Sequence, residues 1–380
     1  MMSYVSTFWG GDNPFLSDLM PSIAAHLGVS GYEHDWFDLP DVKRYVVVLI
    51  DGLGWDITIK ACQDAPYLST IIGDATKAVV RTPTTTAASL MSLWTGLTPG
   101  QHGVVGFSFE VTPDQARFAP RYPWITTPLF LSEPLATPKS VMDKLVESGV
   151  CLSYVIAADL ASSGFTQMGT RQAKLLGVTT PVTIGPDASA LGVQAASQGD
   201  RAVVYIYESR LDHAGHQHGV NSNSWRKALS QVDSFLEGLR NQLADDVCLV
   251  ISGDHGMVDV ASNERITIDS DPQLAADLRL IGGEARFRHL YTANSTAVAT
   301  RWQNRLEDNA QVLTRQEVIE SEMMGPVEER YHSRIGDVVV VSTSNQAYMA
   351  SVFPGEFSLV GMHGGGTSAE RYVPVIALMD

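Results

Sequence analysis

Three aspartates stand where apolar, β-branched runs give way to glycine-containing turns: Asp51 in VVVLIDGLGWD, Asp212 in VVYIYESRLDHAGHQHG and Asp254 in CLVISGDHGMVD. Two of them have histidines at short offsets, His216 four residues after Asp212 and His255 directly after Asp254. If DHAGH forms one helical turn, the Asp212 and His216 side chains project to the same side. His363, in GMHGGG, brings a further imidazole from the far end of the chain. Carboxylate oxygens mixed with imidazole nitrogens suit Zn²⁺ or Mn²⁺ better than an all-oxygen Mg²⁺ or Ca²⁺ cage. Gly215, Gly253 and Gly256 permit tight backbone paths around these side chains. Any one of these polar residues alone is more simply a solvated or capping side chain. The joint pattern is what points to a metal centre.

A hydroxyl for such a centre is offered by RTPTTTAASLMSLWTGLTPGQHG. Thr84, Thr85 and Thr86 precede a helix-like run, so one of them sits near a helix N-terminus, where free N–H groups and the helix dipole favour a phosphate oxygen. Ordinary N-capping by threonine is the competing explanation. A metal centre elsewhere in the chain favours the nucleophile, because a hydroxyl bound to zinc loses its proton far more readily than in water.

These residues need a scaffold that gathers them. Short β-rich runs alternate with helical stretches, the pattern of an α/β fold with a mostly parallel central sheet and helices on both faces. The sequence predicts core strands at Arg44–Ile50, Val150–Ile156, Ala202–Tyr207 and Val247–Ser252, and helices after Thr86, after Pro138 and over Ser222–Leu243. In open sheets of this kind ligands bind beyond the carboxyl ends of the strands, where the three aspartates fall. Residues 1–265 with 347–380 read as one main core, and 266–346 as a small inserted α+β lobe. Within that lobe GEARFRHLYT, STAVATRW, NAQVLTRQEVIESEMMG and IGDVVVVST read as strand, strand, helix and strand. Arg286, Arg288 and Tyr291 either face a pocket or pack the lobe.

The bulk properties are those of a soluble globular protein: 380 residues, 44% hydrophobic and 18% charged. The formal charge of −16 repels polyanions and argues against a nucleic-acid polymer or an anionic membrane as partner. An anionic substrate then needs local positive charge, which bound cations supply. Cys62, Cys151 and Cys248 read as reduced cysteines, and MMSYVSTFWGGDNPF has no basic leader and long apolar stretch. A cytoplasmic location is the expectation.

With these residues in place, the chain resembles the alkaline phosphatase superfamily, and within it the nucleotide pyrophosphatase/phosphodiesterase branch. The resemblance runs from Asp51 to His363 through VLIDGLGWD, PTTTAASLMSLWTGLTPGQHGVVGF, DHAGHQHG, GDHGM and GMHGG, in the order and approximate spacing typical of that group. It implies two divalent ions, one held by Asp212, His216 and His363, the other by Asp51, Asp254, His255 and the nucleophile. Counting back nine residues from Thr95 in TGL makes that nucleophile Thr86. The implied reaction is hydrolysis of a small phosphoester, nucleotides included, through a phosphothreonine intermediate. Tyr207 matches a tyrosine that stacks on the base in nucleotide-cleaving relatives; a strand-end core aromatic is the plainer alternative. His102, His213 and His218 remain supporting residues.

Two departures bear on the substrate. Relatives have an aromatic, a proline and an asparagine after the nucleophile, where this chain has Ala87, Ala88 and Ser89, which removes one face of a base sandwich. They also carry an asparagine that donates to a phosphate oxygen at the position of Phe107, which is the counterpart at the substrate site here. A phosphomonoesterase or phosphonate hydrolase on the same site is the alternative, and a noncatalytic metal-binding protein a remote one. A cysteine-or-serine-x-proline-x-arginine pattern is missing, which argues against a sulfatase. A mutase would have to retain phosphate through both half-reactions.

Overall fold

The computed structural model describes residues 12–60, 62–111, 125–126, 140–161, 163–170, 173–178 and 186–379. Residues 1–11, on which the reading of the N-terminus rests, lie outside the described residues. The longer strands are, in chain order, β1 (Arg44–Ile50), β2 (Thr76–Val79), β3 (Cys151–Ala157), β4 (Lys174–Val178), β5 (Ala202–Glu208), β6 (Val247–Gly253), β7 (Leu280–Glu284), β8 (Phe287–Tyr291), β9 (Ala310–Thr314), β10 (Val338–Ser342) and β11 (Tyr372–Leu378). Seven of them form one sheet in the order β2-β11-β6-β1-β5-β3-β4. Strands β6, β1, β5, β3 and β4 are mutually parallel, while β11 runs antiparallel to both β6 and β2. This is the mostly parallel sheet that the alternation of strand and helix predicts.

Both faces of the sheet are covered, and the alternation of side chains in β1 makes the layers legible. Tyr45, Val47 and Leu49 pack into a cluster with Met20, Met91 and Leu145, on the side of helices α1 (Leu19–His26), α2 (Thr86–Thr95) and α3 (Val141–Glu147). Val46, Val48 and Ile50 pack into the opposite cluster with Ala188, Trp225 and Leu236, on the side of α4 (Pro186–Ala196) and α6 (Asn223–Arg240); α5 (Arg210–His218) lies between these two in the chain. A strand buried on both faces needs the continuous apolar run RYVVVLI rather than an alternating one. The helix α6 starts at Ser222, whose hydroxyl accepts from the Trp225 N–H at 3.1 Å. Its buried residues Trp225, Leu229, Val232, Leu236 and Leu239 recur every three or four positions, one stripe against the sheet. Each such side chain contributes roughly 2 kcal/mol by burial.

Strands β7, β8, β10 and β9 form a separate antiparallel sheet in that order. Here the structure departs from the sequence reading. STAVATRW, read as a strand, lies in helix α7 (Ser295–Leu306), and the strand β9 precedes a helix at Arg315–Ser321 rather than being part of it. The reason is periodicity: Val298, Trp302 and Leu306 recur at four-residue spacing, and those are the residues α7 buries. Strand β10 is enclosed on both faces, with Val338 and Val340 against Trp302 and Val339 and Val341 in the cluster that holds Val105 and Met324 of the main core. The short strand Arg265–Thr267 pairs in parallel with Ala347–Met349, so the chain enters and leaves this region side by side. Among the described residues no helix is long and apolar enough to cross a membrane.

Candidate metal centre and active site

The carboxyl ends of three adjacent parallel strands deliver the acidic side chains to one place. Asp51 follows β1 directly, Asp254 follows β6, and Asp212 lies in the first turn of α5, two residues after the β5 strand has passed into the helix. Residues 210–218 are helical, so the four-residue spacing of Asp212 and His216 puts both on one side. Gly52 turns the chain after Asp51 with φ of +77°, and a Cβ there would meet the Asp212 backbone at 3.2 Å. Only glycine combines that conformation with that approach. His363 follows the short strand Gly361–Met362, which pairs with Val258–Asp259 just beyond His255. Thr86 is the first residue of α2, and Thr85, at the N-cap, makes no side-chain cap.

Two groups of ligand atoms result. Asp212, His216 and His363 form one, and Asp51, Asp254 and His255 the other, each with its donor atoms within 4.8 Å of one another. In the first, His216 Nε2 and His363 Nε2 lie 3.3 and 3.8 Å from Asp212 Oδ1. In the second, His255 Nε2 lies 3.2 Å from Asp51 Oδ1 and 3.6 Å from Asp254 Oδ2. Thr86 Oγ1 joins this second group at 3.0 Å from His255 Nε2. The groups are neighbours, since the His255 and His363 rings stack at 3.7 Å between centroids.

The hydrogen bonds test whether metal ions fit. Each histidine donates its Nδ1–H to a backbone carbonyl: His216 to Gly361 at 2.8 Å, His255 to Gly256 at 3.0 Å and His363 to Thr84 at 3.0 Å. That fixes the tautomer and leaves every Nε2 lone pair directed into the cluster, the usual arrangement around a bound cation. Asp51 Oδ1, Asp212 Oδ1 and Asp254 Oδ2 are buried with no hydrogen-bond partner. Three orphaned carboxylate oxygens beside three imidazole nitrogens are chemically complete only with cations among them.

Electrostatics say the same. Burial, reinforced by the charge of Asp51, pushes the Asp254 carboxyl up to about 7 and that of Asp212 well above the usual carboxylate range. Burial would also raise Asp51, but the positive charge of a protonated His255 beside Oδ1 and the Tyr207 hydroxyl on Oδ2 hold it low. Burial works to lower His255, yet the charges of Asp254 and Asp51 raise it to about 10. His363 goes the other way, lowered by burial and by the charges of His255 and His216. The protein without ions is thus short of positive charge, and a proton on His255 partly supplies it.

Other predicted residues fall around this centre. Tyr207 lines the adjoining cavity and spends its hydroxyl on Asp51 Oδ2, so it orients a carboxylate of the buried group. Phe107 lines the same cavity and is 40% exposed. His102 is buried and neutral, lowered to about 3 by burial, with Nδ1 accepting from the Val104 N–H and Nε2 facing Ser92 Oγ at 3.0 Å. His213 lies on the cavity wall. Arg286, Arg288 and Tyr291 are fully buried and none of them lines the cavity. Arg286 clasps Glu370 through Nε and Nη2, and Glu370 in turn accepts from the Gly365 N–H at 2.8 Å, which ties down the loop that carries His363.

The cavity has a volume of about 460 Å³ and runs from the ligand clusters past Ala87, Leu90, Trp94, Ile156 and Phe165 on one side to Leu359 and Met362 on the other. Two acidic lining residues escaped the sequence reading, Glu284 at the end of β7 and Glu356. GEARFRHLYT gave the strand, but nothing in its pattern marks Glu284 as an acid turned toward a site built by the other sheet.

A seven-stranded, mostly parallel sheet with carboxylates and imidazoles at its carboxyl edge, and a threonine at a helix start beside them, defines an enzyme of the alkaline phosphatase superfamily. The sequence profile of the type I phosphodiesterase / nucleotide pyrophosphatase family matches residues 45–365, and the chain belongs to that family, whose members hydrolyse phosphoester or anhydride bonds. Among solved structures, murine ectonucleotide pyrophosphatase / phosphodiesterase 5 aligns with a TM-score of 0.67 at 16% identity, over 88% of this chain and 87% of that one. An inactive variant of that enzyme has been solved in complex with AMP. Phosphonoacetate hydrolase from Sinorhizobium meliloti, in complex with phosphonoformate, aligns with a TM-score of 0.64 at 20% identity, over 89% of this chain and 91% of that one. Among curated sequences, the catalytic subunit of human GPI ethanolamine phosphate transferase 3 is 36% identical over 89 residues, 23% of this chain and 8% of the relative. The chain thus matches less than a tenth of that relative's length.

Proposed function

We propose that the protein is a phosphodiesterase that holds two divalent ions, zinc in the first place, and uses Thr86 as its nucleophile. The observation that carries this reading is the position of Thr86 Oγ1, 3.0 Å from His255 Nε2 at the edge of the buried ligand group. Asp51, Asp254 and His255 with Thr86 would hold one ion, and Asp212, His216 and His363 the other; mixed oxygen and nitrogen donors suit Zn²⁺, with Mn²⁺ as the alternative. When bound, such a pair supplies Lewis-acid charge that stabilises the oxyanions of in-line phosphoryl transfer and eases deprotonation of hydroxyls.

The chain's own part follows from its geometry. Thr86 Oγ1 attacks phosphorus, the P–O bond to the departing alcohol breaks, and a phosphothreonine remains while the alcohol leaves with a proton. Water then attacks phosphorus from the opposite side, the P–Oγ1 bond breaks, and Thr86 regains its proton. The uncapped first turn of α2 offers backbone N–H groups to the phosphate oxygens. Tyr207 holds Asp51 in orientation. A diester is favoured over a monoester because the cavity extends well past the ligands and, among its described lining residues, has no lysine or arginine to meet the second charge of a monoester.

A nucleotide is one candidate substrate, as AMP binds to a relative of the same fold. Thr86→Ala with a metal assay tests the reading. Loss of hydrolysis with metal retained supports it, and hydrolysis that survives with metal retained removes Thr86 from its role. A panel of mono-, di- and phosphonate esters then separates the substrate classes.

A further inference from the structure

Arg286 lies in the turn between β7 and β8, fully buried and outside the cavity. Its guanidinium grips the Glu370 carboxylate through two hydrogen bonds, Nε to Oε1 at 2.7 Å and Nη2 to Oε2 at 2.8 Å. Nη1 and Nη2 also donate to the carbonyls of Gln346 and Ser344, both at 2.8 Å, so the head of the arginine is itself fixed. Glu370 passes this hold to the loop that carries His363: Oε1 accepts from the Gly365 N–H at 2.8 Å, and Oε2 from the Thr367 hydroxyl at 2.5 Å. The end of β10 adds a further tie, with the Ser342 carbonyl accepting from the Gly366 N–H at 2.8 Å and the Ser342 N–H donating to the Arg286 carbonyl at 3.0 Å. A Cβ on Gly365 would stand 2.9 Å from both Glu370 Oε2 and the Ser342 carbonyl oxygen, so the loop is seated closely against both. On its other side the loop meets Thr84, whose hydroxyl donates to the Gly365 carbonyl at 2.9 Å and whose carbonyl receives the His363 Nδ1–H.

A buried ion pair such as Arg286 with Glu370 is weak evidence for stability, because desolvation cancels much of the attraction. What the pair supplies is direction, since a bidentate contact fixes the carboxylate and the carboxylate fixes the loop. We propose that Arg286 is a positioning residue for the outer ligand group: acting through Glu370 it sets the backbone after His363, so the antiparallel sheet governs how tightly Asp212, His216 and His363 hold a divalent ion. This inference rests on the two-ion reading above. The buried ligand group is reached by a different route. There the Glu370 carbonyl, not its side chain, accepts from the Gly256 N–H at 2.9 Å, and the Gly256 carbonyl accepts from His255 Nδ1 at 3.0 Å. Loosening the carboxylate therefore acts on His363 and spares His255. Lysine in place of Arg286 keeps the buried charge but loses the two-pronged contact.

The test titrates zinc against a competing chelator on the wild type, on Arg286→Lys, on His216→Asn and on the double variant. Removing His216 leaves only the buried ligand group complete, which assigns each binding step to its site. In the otherwise intact protein, Arg286→Lys should weaken one of the two zinc affinities by about 10–100-fold, the usual cost of disturbing a partner one shell beyond a ligand, and leave the other unchanged. Added to His216→Asn, it should change nothing. Thr367→Val removes one donor to Glu370 without stranding a buried charge, and it should weaken the same step by a smaller factor; this variant decides the matter if Arg286→Lys does not fold. Equal weakening of both steps, or weakening of the step that survives in His216→Asn, overturns the inference, because Arg286 would then support the fold at large. Affinities unchanged in the variants overturn it as well, and both of these results leave the two-ion reading standing. A wild type that binds fewer than two zinc ions defeats that reading itself, and this inference falls with it.

Discussion

The two ligand groups are built from the same residue types but differ in depth. Asp51, Asp254 and His255 are all buried, and Thr86 sits against them; His216 and His363 are only half-buried, and their group forms part of the cavity wall. The buried group is anchored from behind, by Tyr207 on Asp51 and by the Gly52 N–H on Asp254 Oδ1 at 3.1 Å. The outer group is held by single carbonyl contacts to His216 and His363. On the proposed mechanism this would be a division of labour: Asp51, Asp254 and His255 would hold an ion in a fixed setting beside Thr86, and Asp212, His216 and His363 would hold one open to the departing group and to solvent.

The sharpest way to break that division is Thr86→Ala, expected to lower kcat on the order of 10³-fold or more while both ions stay bound, measured by steady-state kinetics with metal analysis. Asp254→Asn against His216→Asn comes next. Partners one shell further out already cost about 10–100-fold, so removing a buried ligand should cost more than about 100-fold. Excess zinc should restore activity to His216→Asn and not to Asp254→Asn; equal rescue of both would erase the distinction in depth.

Tyr207→Phe is a milder probe, since it removes one hydrogen bond to Asp51 and leaves the ring on the cavity wall. About a tenfold loss of zinc affinity is expected by competition with a chelator. A loss confined to nucleotide esters, with zinc affinity unchanged, would instead assign Tyr207 to the substrate.

The smallest effect concerns pH and the metal-free protein. His255 is raised to about 10 and Asp212 is also raised, so the folded chain holds protons that the unfolded chain gives up. Stability from His255 is fully present below the imidazole's ordinary value near 6.5 and is lost as pH climbs through about 10. The melting temperature of chelated protein should therefore fall from pH 7 to 10. With zinc present the fall should vanish, because the ligands are then deprotonated by the cation.

How much of this was legible beforehand follows from how the site is made. The strand-end aspartates and their histidines could be read because a parallel sheet converts sequence position at a strand's carboxyl end into spatial convergence. The helix-start signature placed one of Thr84, Thr85 and Thr86 near the site, and only the family resemblance singled out Thr86 among them. Tyr207 was visible as a residue, but not its hydrogen bond, which depends on the register of β5 against β1, where Leu49 faces Tyr207 across the pairing. Glu284 and Glu356 were out of reach, since Glu284 enters the cavity from the second sheet and Glu356 from the short helical turn Pro354–Ser358, and only tertiary packing decides which way they face. STAVATRW was misread as a strand because its β-branched residues outweighed the four-residue spacing of Val298 and Trp302 in a short window.

The most direct measurement is a crystal structure of zinc-soaked, active protein with anomalous differences recorded at the zinc edge. The account predicts two peaks, one among Asp51, Asp254 and His255 with the Thr86 hydroxyl in contact, the other among Asp212, His216 and His363. A fully active crystal with one peak, or with its ions away from Thr86, would contradict it.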